Sequence, residues 1–120
     1  MQTVLIAADN SGARYMQCIK PLGGFNRKTS YCGDVIKVCV KRLKLIRKVK
    51  RSQLCLALIA RTKKHIIKKD GLKTKFGTNA AILLNAKKKV LGTRIVGAVS
   101  HSLRQKRFLK FLLMSGYKVY

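Results

Sequence analysis

The sequence predicts a mainly β fold, a small β-barrel with a short helical C-terminal part. Three observations carry this. Short runs rich in Val, Ile and Leu are punctuated by Gly, Asn and Asp instead of being spaced by long helical patterns. Helix punctuation appears at the end of the chain, where Ser102 precedes Leu103 to Met114 and Gly116 stands just beyond. A chain of 120 residues, 48% of them hydrophobic, is enough for one core and short for two. The expected organisation is a single domain over residues 1–120, with the barrel over about 1–99 and the tail over about 100–120.

Each element follows from local composition. Thr3 to Ala8 is apolar and β-prone, and it reads as the first core strand. Asp9-Asn10-Ser11-Gly12 is a turn, because short polar side chains bond the local backbone and Gly12 tolerates positive φ. Tyr15 to Lys20 resumes as a strand until Pro21 and Gly23-Gly24. Gly33-Asp34 turns into Val35 to Val40, and Leu54 to Ala60 reads as a fully buried strand. The tail is either one helix or two short ones.

Charge sets the function class. Lys and Arg number 28 against Asp9, Asp34 and Asp70, with no Glu, for a net charge of +25. A folded chain of this mass is expected to expose about 6,500 Å², or about one net positive charge per 260 Å². Soluble small domains usually carry a net charge of about 2–8, so this excess calls for a polyanion. Three Asp and two His leave few general acids or bases, and no enzymatic activity is expected. Gly23 to Thr29 echoes a phosphate loop but lacks a Gly before Lys28, so it is simply a basic loop.

No uninterrupted apolar run approaches the ~20 residues of a membrane span, and no membrane partner is expected. The start of the chain has no basic leader, so the protein is expected to be made where it works or to have lost a presequence. Cys18, Cys32, Cys39 and Cys55 form no C-x-x-C pair, and His65 and His101 lie far apart. Thiols in a reducing compartment are expected, with no metal and no cofactor.

The most informative segment runs from Arg61 to Phe76. Asp70-Gly71 between β-compatible runs signals a two-residue hairpin turn. That register sets Lys69 opposite Leu72 and Lys68 opposite Lys73. One face then gathers Lys64, Ile66, Lys68, Lys73 and Lys75, a costly arrangement until phosphates lie against it. A second basic run, Lys41 to Arg51, reads as an arm tracking phosphates. A third cluster joins Arg94 to Arg104, Lys106, Arg107 and Lys110, and no Glu at helical spacing offsets it. The candidate RNA-binding residues are Arg14, Arg27, Lys28, Lys48, Lys50, Arg51, Arg61, Lys63, Lys64, Lys68, Lys69, Lys73, Lys75, Arg94, Arg104, Lys106 and Arg107. Aromatics are not interleaved with these cations, which suits a folded RNA bound through phosphate and sugar.

Specific residues go further. Ala8-Asp9-Asn10-Ser11-Gly12-Ala13-Arg14, then Cys18-Ile19-Lys20 and Leu22-Gly23-Gly24, closely resemble the start of the universal large-subunit ribosomal protein fourteen family. The likeness continues through Gly33-Asp34-Val35-Ile36-Lys37, Arg61-Thr62-Lys63-Lys64, Asp70-Gly71, Asn79-Ala80-Ala81 and Gly92-Thr93-Arg94-Ile95-Val96-Gly97 to Leu103-Arg104. The resemblance covers essentially the whole chain. It implies a five-stranded β-barrel of OB/SH3-like kind, with a projecting basic hairpin and a small helical C-terminal part. It also implies a structural constituent of the large ribosomal subunit. Such a protein binds large-subunit rRNA and neighbouring large-subunit proteins, and faces small-subunit rRNA across an intersubunit bridge. Family members can also receive a subunit anti-association factor.

The chain departs from the family pattern at Leu45-Ile46-Arg47 and Ser52-Gln53, where members carry a Pro-x-Gly turn and a Gly-Asp, and at Arg42, where a Glu is common. Together with the Lys excess and the loss of Glu, this suggests an organellar member in the mitochondrial matrix, with plastid stroma or bacterial cytoplasm as alternatives. Two other functional readings stay open on the residues: a free OB-like translation factor or RNA chaperone, and a membrane-active polycation.

Overall fold

The computed structural model describes residues 1–105, 108–116 and 120. Five strands close a barrel in the order β1 (Val4–Ala7), β2 (Ala13–Pro21), β3 (Val35–Leu43), β4 (Leu54–Arg61) and β7 (Ala80–Leu84). Neighbours pair antiparallel except at the seam, where β1 runs parallel to β7, with Ile6 opposite Ala80 and Ala7 opposite Ala81. β5 (Ile66–Ile67) and β6 (Lys73–Thr74) form a separate two-stranded ribbon. The tail holds α1 (Ser102–Gln105) and α2 (Leu109–Ser115). The mainly β barrel with a short helical tail matches the expectation, and the tail takes the two-helix form. Phe108 has a non-helical backbone and donates its N–H to the Leu103 carbonyl, five residues back, which separates the helices.

Alternation places the core. In β3, Ile36, Val38 and Val40 point inward while Lys37 points out. With Leu5, Met16, Ala57, Ile59 and Leu83 they fill the barrel. Register shifts between β2 and β3 around Tyr15 and after Cys18 bend the sheet toward closure. A second cluster covers the outer faces of β4 and β7, where Leu58, Ala60, Ile82 and Leu84 meet Ile95, Val99, Leu103 and Phe111. β7 is therefore buried on both faces, which explains a continuous Ala-Ala-Ile-Leu-Leu where alternation would mark an open sheet.

β4 was expected to be buried throughout, and the structure corrects this. Ala57 to Ala60 are buried, but Leu54 is 56% exposed, because β7 reaches β4 only from Leu56 onward. The hairpin register is also corrected. Ile66 pairs with Thr74 and Ile67 with Lys73, and Lys68 N–H donates to the Leu72 carbonyl at 2.8 Å. The loop has three residues, closed by Gly71 N–H to the Lys68 carbonyl at 3.0 Å, with Gly71 at φ 82°. A turn followed by a left-handed Gly is the other common hairpin solution, and it shifts the pairing by one. Lys73 now shares a face with Ile67, so the lysines divide between the two faces of the ribbon and no all-lysine face forms. The accessible surface, 8066 Å², exceeds the expected value. The arm and the ribbon add area, and the net charge thins to about one per 320 Å².

Candidate nucleic-acid interface

The turn after β1 anchors much of the basic surface. Asp9 is buried, and its carboxylate accepts hydrogen bonds from the Ser11 hydroxyl (2.6 Å), Ser11 N–H (3.3 Å) and Leu83 N–H (2.9 Å). Burial raises its pKa above the ordinary carboxylate range, and those hydrogen bonds pull it partly back. The Asn10 side-chain carbonyl accepts from Thr93 N–H (2.7 Å) and Arg94 N–H (3.1 Å), which fixes the backbone that presents Arg94. Gly12 and Ser11 in turn hold the arm: Lys44 N–H donates to the Gly12 carbonyl and Lys48 N–H to the Ser11 carbonyl, both at 2.8 Å. Gly12, at φ 95°, lies so close to the Arg47 backbone and the Ile46 carbonyl that a side chain there has no room.

The arm is therefore a projection pinned at its base to the turn after β1. Val49 plugs into the barrel core at 2% exposure while Leu45 and Ile46 stand fully in solvent at the tip. Arg14 and Arg51 line a concavity of about 360 Å³ together with Lys41, Arg42 and Arg47. The last three were left out of the candidate residues. The run Lys41 to Arg51 marked them, but its lack of clean periodicity hid which cations share a face with Arg14. Lys48 and Lys50 are exposed on the same arm.

On the opposite side, Lys63 and Lys64 lead into the ribbon and are exposed, as are Lys69, Lys73 and Lys75, while Lys68 is half-buried. Lys63 N–H donates to the Asn79 side chain at 2.7 Å, which ties the ribbon's root to the start of β7. Lys68 and Lys69 share a cleft with His101 and Ser102, so the ribbon folds toward the tail. Lys28 is exposed at the rim of the barrel end, beside Lys64. Arg104 is exposed on α1; Lys106 and Arg107 lie outside the described residues. Lys88, Lys89 and Lys110 border a cleft floored by Val90, Phe108, Phe111 and Met114, which sequence reading did not assemble.

Two candidates are placed differently from the rest. Arg27 forms an ion pair with Asp34 and donates to the Thr29 carbonyl at 3.0 Å, so its guanidinium braces the 22–34 loop. Arg61 is half-buried beneath Gly97, and burial draws its guanidinium below its ordinary range. The three carboxylates of the sequence are thus committed: Asp9 inside, Asp34 to Arg27, and Asp70 to Leu72 N–H in the ribbon turn (3.1 Å). Against these three stand 28 Lys and Arg, so most cations of the chain are left without a side-chain carboxylate.

Cys18, Cys39 and Cys55 are free thiols on β2, β3 and β4, and burial pushes Cys18 and Cys55 above the ordinary thiol range. Among the described residues no three metal-ligating side chains converge. Geometry of this kind suits a scaffold: a barrel with pinned turns that holds cationic projections in fixed directions. A model of the family described as ribosomal protein L14p/L23e matches residues 1–119, which takes in the barrel, arm, ribbon and tail alike. The chain accordingly belongs to the ribosomal protein L14p/L23e family, and it is a structural protein of the large ribosomal subunit, not an enzyme.

Proposed function

We propose that the protein binds large-subunit rRNA through its basic projections and lies at the intersubunit face, contributing to contacts that bridge the subunits. The observation that carries the first part is the excess of cations over carboxylates: Asp9 is buried, Asp34 pairs with Arg27, and Asp70 in the ribbon turn faces six ribbon lysines, which leaves most cations of arm and ribbon to be neutralised by phosphate. Lys63, Lys64, Lys68, Lys69, Lys73 and Lys75 form the ribbon contribution. Arg14, Lys48, Lys50 and Arg51, with Lys41, Arg42 and Arg47, form the arm contribution. Lys28, Arg94, Arg104, Lys106 and Arg107 extend the contact, and Arg27 and Arg61 serve it by bracing the loops beside them. The bridge position, neighbouring proteins and a docking anti-association factor are what membership of the family suggests. The lysine excess and absence of Glu favour a mitochondrial ribosome.

Sedimentation of gently lysed native material tests the assignment. The chain should travel with large subunits and monosomes and stay there after a high-salt wash. Release by salt into light fractions would favour an exchanging RNA-binding factor instead. With purified protein and rRNA fragments, each Lys→Ala change at Lys64, Lys73 or Lys75 should lower the salt slope of binding by up to about one unit. An unchanged slope would remove those residues from the interface.

A further inference from the structure

The barrel interior is closed at one end and open at the other. At the arm end Val49 is part of the core, and Leu43 and Leu91 pack against it. At the far end the chain leaves a mouth of about 240 Å³. Leu5, Pro21, Ile36 and Ile59 give it an apolar floor. Lys28, Ser30 and Lys64 stand among its lining, and no carboxylate of the described residues does. The Ser30 hydroxyl is buried there with no hydrogen-bond partner among the described residues. Such a group destabilises the fold unless something outside the chain bonds to it.

Size and chemistry narrow the occupant. The mouth is smaller than the about 300–1,000 Å³ of drug-sized sites and several times the about 30 Å³ share of one water. It has room for one small group that is largely apolar and carries a polar edge. Lys28, on the 22–34 loop, and Lys64, at the ribbon's root, are both exposed and offer charge to an anionic chain on either flank. The same loop presents Phe25, 96% exposed between Gly23 and Asn26, both at positive φ. A solvent-facing ring there is a stacking surface for an adjacent base. An RNA nucleotide turned out of its stack meets each of these conditions.

We propose that the open end of the barrel receives a single unpaired nucleobase of the bound RNA, with Ser30 bonding its edge and Lys28 and Lys64 holding the flanking phosphates. This rests on the RNA-binding reading above.

Two blunt-ended RNA duplexes of the same paired sequence test it against the full chain, one fully paired and one carrying a single additional bulged adenosine. The protein should bind both, with similar salt slopes, and prefer the bulged RNA about tenfold. Ser30→Ala removes only the partnerless hydroxyl and should cut that preference about threefold or more. Ser30→Leu fills the mouth and should abolish the preference while leaving affinity for paired RNA unchanged. Equal affinity of the unaltered protein for both duplexes would overturn the inference and leave the mouth to a side chain of a neighbouring protein. A preference that survives both substitutions would also overturn it. Binding to neither RNA would overturn the RNA-binding reading itself. Should Ser30→Leu fail to fold, the Ser30→Ala result decides.

Discussion

Asp9 combines two features that oppose each other, a carboxylate taken out of water and three donors that favour its charge. Burial dominates, so the folded protein holds the Asp9 proton more tightly than the unfolded chain does. The stability this supplies is complete below the ordinary carboxylate range and is lost as pH rises through the raised value. Asp9→Asn abolishes the titration but turns one accepting oxygen into a donor. At neutral pH it should cost about 1–3 kcal/mol in denaturant unfolding. The stability gap between wild type and Asp9→Asn should narrow as pH rises across that window, and a widening gap would show the opposite shift. The turn at residues 9–12 was readable from its composition; the burial of Asp9 was not. Its donors include Leu83, 74 residues away, and no local pattern announces such a partner. Arg27 was read as a phosphate ligand for the same reason, since its pairing with Asp34 depends on how the intervening loop closes.

At the level of elements, strands with one solvent face were legible because period-two alternation survives in them, as in Ile36, Val38 and Val40. The ribbon register was not, because Asp-Gly serves both a two-residue turn and a three-residue loop ending in a left-handed Gly. A slip of one residue then redistributes every lysine between faces. The arm shows the complementary failure. Its apolar residues have separate duties, Val49 inward and Leu45 and Ile46 outward, so they carry no common period. Val49→Ala should destabilise the protein by about 1–3 kcal/mol and loosen the arm. Hydrogen exchange at the Lys44 and Lys48 amides would check this, since both are bonded to the turn beneath the arm. Unchanged protection would mean that the turn alone holds the arm. The tail's punctuation by Ser102 and Gly116 was legible, but its division at Phe108 depends on packing, with the Phe108 and Phe111 rings edge to face at 5.3 Å.

For the molecule as a whole, composition pointed to a polyanion before any fold was known, and the folded surface keeps that logic. Its cations are spread over arm, ribbon, barrel end and tail, so the free protein repels itself in several directions at once. Inorganic polyphosphate at about a hundred times its Kd should therefore raise Tm by about 10 °C in low salt. Differential scanning calorimetry measures this directly, and a Tm indifferent to polyphosphate would mean that self-repulsion contributes little to stability.

The parallel seam has a consequence for how the molecule comes into being. β1 pairs with β2 early in the sequence, but its other edge waits for β7, and the Asp9–Leu83 bond across that gap spans 74 residues. High sequence separation slows folding, because loop entropy is lost before the contact forms. During synthesis the first strand emerges long before its final neighbour, with Leu5 and Met16 open to solvent meanwhile. Barrel closure across this seam is therefore expected late in folding, after β1 to β4 have paired in chain order.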